Sequence, residues 1–203
     1  MARKSFKWEL KDIILVAVLG VVFAVVYLGI LYAGVAVTAA LTPFGLSTFG
    51  YEIFYGIWFM GATLAAYIIQ KPGVAFVTEL LAGVLEMLMG NFGGVQVVIS
   101  ATMQGLGTEL GFAVFRYRKW DMASMCVSGI FAAVISFFWG FLQSGFGLLR
   151  PGMLVAMLAV RIISAVMFSG VISGAAGKGL AKTGVLKSYA LGAKYGVAQV
   201  MDD

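Results

Sequence analysis

The sequence predicts an all-α integral membrane protein: one membrane domain over residues 1–203, a bundle of six transmembrane helices with both termini cytoplasmic. Three observations predict it. The 203-residue chain is 62% hydrophobic and only 11% charged, where a soluble domain carries about 25% charged residues. Six predominantly apolar runs have the length of roughly 17–25 residues that a spanning helix needs. The basic residues fall in alternate loops, the positive-inside pattern.

The first run, 12–33, follows Arg3, Lys4, Lys7 and Lys11. It is too long for a signal-peptide core of roughly 7–15 residues, so it reads as an uncleaved transmembrane helix. Thr42-Pro43-Phe44-Gly45 separates it from the second run, 51–70, and Lys71-Pro72-Gly73 separates that from the third, 73–89. Glycine and proline punctuate both connections. Gly90-Asn91-Phe92-Gly93-Gly94 precedes the fourth run, 95–115, and Arg116 to Asp121 precedes the fifth, 122–143. Gly145 to Gly152 leads to the sixth, 153–174, and a basic tail from about 178 reads as a surface segment or frayed helix. With six spans, the N-terminal cluster, Lys71, Arg116, Arg118, Lys119, Lys178, Lys182, Lys187 and Lys194 all lie inside, and only Arg150 lies outside. That asymmetry orients the chain in the cell membrane and accounts for the net charge of +5 without nucleic acid.

Four glutamates, Glu52, Glu79, Glu86 and Glu109, interrupt the apolar runs. A charge at the bilayer centre costs roughly 2.5–3.5 kcal/mol on insertion scales, so such residues face a bundle interior or a polar cavity and have partners there. Glu79 and Glu86 are seven residues apart and share a helix face with Gly83. On an ideal second helix Glu52 lies at the outer mouth, near Tyr51, Tyr55 and Trp58. Gln96, Ser100 and Gln104 descend the fourth helix at intervals of four, whereas Glu109 is rotated about 140° from Gln104. Ser136, Trp139 and Gln143 form a stripe on the fifth helix, and Arg161 lies near mid-depth on the sixth. The outer half therefore gathers Glu52, Tyr51, Tyr55, Trp58, Glu86, Asn91, Gln96, Gln104, Trp139 and Gln143 as candidate substrate-binding residues. Carboxylates, amides and aromatic faces suit a small polar or cationic ring compound. Glu79 or Glu109 is the expected partner of Arg161 in a structural ion pair. Glu52 and Glu86 also have an ordinary reading as rim residues, the aromatics as a membrane-interface belt, and Gln104 as a helix–helix hydrogen-bonding group.

The absence of histidine removes Ser-His triads and the commonest metal ligand. One cysteine, Cys126, forms no intrachain disulfide. No aspartate pair lies within a helix, so a membrane-embedded enzyme is disfavoured, and no metal or cofactor is expected. A stand-alone transporter or channel is the remaining rival.

The spans, the cytoplasmic termini and the outer polar pocket resemble the S components, the substrate-binding subunits of energy-coupling-factor vitamin transporters. The likeness to the YkoE family among them is closer. It is carried by Tyr51-Glu52, Gly56-Ile57-Trp58-Phe59-Met60-Gly61, Tyr67 to Gly73, Glu79, Glu86 to Asn91, Gln104 to Glu109 and Arg116 to Trp120. The resemblance implies extracellular binding of thiamine or its hydroxymethylpyrimidine precursor, with another vitamin as the alternative. It also implies a transmembrane coupling subunit and ATPase subunits as partners. The chain contains no G-x-x-x-x-G-K-[ST] phosphate loop, so ATP hydrolysis falls to those partners. S components often carry Ala-x-x-x-Ala on helix 1 for contact with the coupling subunit. Gly20-x-x-x-Ala24, one turn after Ala17, occupies that place and is the expected partner contact.

Overall fold

The computed structural model describes residues 6–201, with side chains through residue 195. Arg3 and Lys4 of the N-terminal basic cluster lie outside the described residues. The described chain is helical throughout, with no strand. Helix α1 (Leu10–Leu41) is 32 residues long, about 48 Å at 1.5 Å per residue. It outruns the predicted 12–33 because apolar residues continue to Leu41. Its start is capped by the Glu9 N–H, which donates to Asp12 Oδ2 at 2.8 Å.

The second predicted span is not one helix. It consists of a single turn, α2 (Phe49–Glu52), a 3₁₀ segment (Tyr55–Phe59), and then α3 (Met60–Ile69). Gln70, with φ 59°, ends α3, and α4 (Val74–Leu88) starts after Gly73, with φ 84°. The left-handed Gly73 is a conformation glycine adopts without strain. Helices α5 (Val95–Val114) and α6 (Met122–Gln143) match the expected fourth and fifth runs. Helix α6 starts on a capping box: the Ser124 N–H donates to Asp121 Oδ1 at 2.8 Å, and the Asp121 N–H donates to Ser124 Oγ at 3.0 Å.

The sixth run is longer than predicted. Helix α7 (Pro151–Ala165) passes into a π-helical segment (Val166–Ile172) and then α8 (Ser173–Lys182). The tail, expected as a surface segment or frayed helix, is helical and partly buried. It turns into α9 (Ala190–Met201), and Leu186 and Leu191 are buried in the main apolar core with Tyr67, Trp120 and Met125. The Tyr189 hydroxyl donates to the Lys11 carbonyl at 2.8 Å and ties the tail to the start of α1.

Among the described residues, four stretches are long and apolar enough to cross a membrane: Leu10–Phe44, Val95–Val114, Met122–Gln143 and Pro151–Lys182. The segments from 49 to 69 and from 74 to 88 are too short or too broken to qualify. The exposed face of α1 carries Ile13, Val18, Val21 and Val25, as expected for a surface in contact with lipid. Gly20 and Ala24 are on its buried face. A Cβ at Gly20 would meet the Leu81 side chain. Gly20 therefore seats α1 on Leu81 of α4, and Ala24 is fully buried, so these two small residues serve contact within the bundle rather than the expected partner contact. Of the predicted trio, only Ala17 is exposed.

A polar cluster fastens the end of the bundle where α1 begins. Lys71 Nζ donates to buried Asp12 at 2.6 Å and to Glu9 at 3.1 Å, and the Trp8 indole N–H donates to the Pro72 carbonyl at 3.1 Å. The Glu109 carboxylate accepts from the backbone N–H groups of Gly73, Ala75 and Phe76 at 2.6, 3.1 and 3.3 Å. An anion at a helix N-terminus satisfies orphan donors and complements the helix dipole. Glu109 is thus the cap of α4.

Candidate binding cavity

At the opposite end the helices part around a cavity of about 460 Å³, within the size range of small-molecule sites. One of its buried polar features is Arg161. Nε donates to Glu52 Oε2 at 2.6 Å and Nη2 to Glu52 Oε1 at 2.5 Å, while Nη1 reaches Ser136 Oγ at 3.2 Å. The guanidinium lies 3.5 Å from the centre of the Tyr55 ring. Both charged side chains are 2% exposed. A bidentate pair stacked on an aromatic face is the arrangement in which a buried arginine is best compensated.

The second carboxylate, Glu79, accepts from the Tyr27 hydroxyl at 3.0 Å, and that hydroxyl accepts from the Gly61 N–H at 3.1 Å. Glu86 accepts from Asn91 Nδ2 at 2.7 Å, and Asn91 Oδ1 accepts from the Gly93 N–H at 2.8 Å. Trp58 lines the same cavity as Glu86. Glu79 and Glu86 both line the cavity and are buried. Ion pairs join Glu9 to Lys11 and Lys71, Asp12 to Lys71, and Glu52 to Arg161. Among the described residues, no lysine or arginine forms an ion pair with Glu79 or Glu86.

The walls are aromatic and amide. Trp58 lies 5.6 Å from Tyr55 and 6.2 Å from Tyr51, ring centre to ring centre. On the far side the Trp139 indole donates to Ser100 Oγ at 3.0 Å, and the Ser100 hydroxyl donates to Gln143 Oε1 at 3.1 Å. Gln104 is buried, lines the cavity and neighbours Tyr55. No group of three His, Cys, Asp or Glu converges among the described residues, so no metal cage is formed there.

A family model described as ABC-type cobalt transport system, permease component, matches residues 11–135. The protein YkoE of Bacillus subtilis (strain 168), provisionally described as an HMP/thiamine permease, is 37% identical over 185 residues, 91% of this chain and 90% of that protein. A crystal structure of an S-component of an ECF transporter superposes with a TM-score of 0.91 at 35% identity, covering 97% of each chain. This chain belongs to the YkoE family of S components. It is a multi-pass membrane protein of transport, not an enzyme.

In this S component the cavity collects most of the residues expected from the sequence: Glu52, Tyr51, Tyr55, Trp58, Glu86, Asn91, Gln104, Trp139 and Gln143 all line it. Gln96 does not, and is exposed. It precedes Ser100 by a full turn and lies at the exposed start of α5. The ion pair is the larger correction. Arg161 pairs with Glu52, while Glu79 binds Tyr27 and Glu109 caps α4. The expected pairing rested on depth, with Glu79 and Glu109 as the deeper carboxylates, whereas Tyr27 and the start of α4 occupy these two. Glu79 and Arg161 line the cavity as well. The spacing of Glu79 and Glu86 was the available signal for Glu79, since one face carries both. No sequence signal linked Tyr27 to Glu79 across 52 positions.

Proposed function

We propose that this chain binds thiamine, or its hydroxymethylpyrimidine portion, from the extracellular side and delivers it as the substrate-binding subunit of an ATP-driven importer. The observation that carries the proposal is the pair of carboxylates, Glu79 and Glu86, in one cavity, neither paired with a lysine or arginine among the described residues. A ligand bearing a positive charge or a protonated amino-pyrimidine would supply the missing counter-charge. The description of the Bacillus subtilis relative supports the same ligand class.

In this reading the carboxylates of Glu86 and Glu79 accept from the exocyclic amine and a ring N–H. Asn91 and Gln104 satisfy the remaining ring positions. Trp58, Tyr51 and Trp139 offer faces for stacking on a ring or cation, a contact of about 0.5–2 kcal/mol each. Glu52 is occupied by Arg161 and serves to hold Tyr55 and the cavity floor. The distribution of basic residues supports six membrane crossings with cytoplasmic termini, the segments 49–69 and 74–88 supplying the two crossings that no single long helix makes. The S-component fold supports a transmembrane coupling subunit and ATPase subunits as partners.

Thiamine titration against intrinsic tryptophan fluorescence tests the proposal. Saturable binding that weakens at least tenfold in Glu86→Gln is expected. No saturable response in the wild type, or equal affinity in both, overturns it.

A further inference from the structure

The cavity's aromatic wall rides on the least regular stretch of the bundle. Regular α-helix ends at Glu52 and a 3₁₀ turn starts at Tyr55; the Ile53 and Phe54 N–H groups still pair with the Phe49 and Tyr51 carbonyls at 3.3 and 3.0 Å, and the Ile57 N–H with the Phe54 carbonyl at 2.8 Å. A break of this kind inside an apolar bundle leaves backbone groups that neither lipid nor a helix can satisfy. One side chain bridges this break. The Ser164 hydroxyl donates to the Ile53 carbonyl at 2.8 Å, and the same oxygen accepts from the Gly56 N–H at 2.9 Å. Ser164 is 3% exposed and does not line the cavity. Gly56 makes the approach possible, because a Cβ there would collide with the Ser164 carbonyl and the Ala165 nitrogen.

Between and beside the two bridged groups sit the residues that form the wall. Glu52 immediately precedes Ile53. Tyr55 immediately precedes Gly56, and Trp58 follows it by two. Arg161, one turn before Ser164 on α7, holds Glu52 and stacks on Tyr55. Helix α7 therefore grips the broken segment at two levels, by a charge pair inside the cavity and by a serine behind it.

We propose that Ser164 is a positioning residue for the ligand site. By accepting from Gly56 and donating to Ile53 it sets the angle at which Tyr55 and Trp58 face the ligand. The proposal rests on the binding reading above for its affinity arm only. Its second arm is measured on ligand-free protein.

The experiment compares wild type with Ser164→Ala, Ser164→Thr and Ser169→Ala. Ser169 is also buried beyond Ser164 in the same run, but its hydroxyl bonds only to Ala165 of its own helix. Protein labelled with 5-fluorotryptophan gives a ¹⁹F resonance for each of the four tryptophans, and loss of one peak in Trp58→Phe assigns Trp58. Thiamine affinity is measured on the same samples. The expected result is a shifted or broadened Trp58 resonance and at least tenfold weaker thiamine binding in Ser164→Ala. Ser164→Thr, which keeps the hydroxyl, and Ser169→Ala should match wild type in both. An unmoved Trp58 resonance with affinity within twofold of wild type in Ser164→Ala overturns the proposal. So does an equal change in Ser169→Ala, or a threonine variant that behaves as alanine. If Ser164→Ala does not yield folded protein, Ser164→Cys, of nearly the same shape, is judged by the same criteria. If the wild type fails to bind thiamine, the binding reading falls, and the Trp58 resonance still decides the role of Ser164.

Discussion

Glu52 and Arg161, 109 positions apart in the chain, form a bidentate ion pair buried at the floor of the cavity. Burying two ions is costly, and removing one partner leaves the other unpaired, at about 3–5 kcal/mol. Glu52→Gln and Arg161→Gln are each expected to lower the melting temperature in detergent substantially. The double variant should lose less than the sum of the two. Additive losses in thermal unfolding would contradict the pairing.

Tyr27 links α1 to both α3 and α4, through Gly61 and Glu79. Tyr27→Phe keeps the ring and removes the acceptor of a buried N–H, a loss of about 1–3 kcal/mol. Chemical unfolding of the purified subunit should show a decrease of that order. A change within error would mean that the hydroxyl is not shared in this way.

Gly20 is assigned to packing within the chain. Gly20→Val forces a side chain into Leu81, and overpacking of this kind costs about 1–3 kcal/mol. The isolated subunit should melt at a lower temperature, whereas Ala17→Val on the exposed face should leave it unchanged. If Gly20→Val leaves the isolated subunit as stable as wild type, the small residues of α1 are free for a partner after all.

The cluster where α1 begins gives a pH dependence of known sign. Burial pulls the Lys71 value down, but the hydrogen bonds and charges of Asp12 and Glu9 outweigh this and raise it above 10.5. A raised folded value means that the contribution is complete below 10.5 and is lost as pH rises through the folded value. Glu9 is held below 4.5, first by its hydrogen bond with Lys11 and then by that with Lys71, so its contribution is present above 4.5 and is lost as pH falls through its folded value. Stability measured against pH should decline at the alkaline end in wild type and lose that step in Lys71→Met. Lys71→Met should also cost more than Glu9→Gln, because Asp12 is buried while Glu9 is exposed. Equal costs would contradict the assignment.

The helices were legible wherever composition and punctuation agreed. Asp121 followed by a long apolar run marks the start of α6, and the glycine-rich loop at 90–94 marks the start of α5. The cavity was legible as an assembly of polar residues on apolar faces, because a buried glutamate or glutamine needs partners. The break after Glu52 was not legible, since Ile53 to Phe59 is apolar and aromatic and reads as a continuing helix. The groups that bridge it, Gly56 and Ser164, are 108 positions apart. The partner of Arg161 was misread because depth on ideal helices set Glu52 at the mouth and left Glu79 and Glu109 as the deeper carboxylates. The tail was misread because its lysines and glycines mask two buried leucines, Leu186 and Leu191.

The central claim is that Glu79 and Glu86 provide the counter-charge for a cationic ligand. Isothermal titration of thiamine into wild type, Glu79→Gln, Glu86→Gln and the double variant tests it most directly. The account predicts saturable binding in wild type and a loss of at least tenfold in each single variant, about 1.4 kcal/mol or more, with a larger loss in the double. Wild-type affinity in the double variant would contradict it.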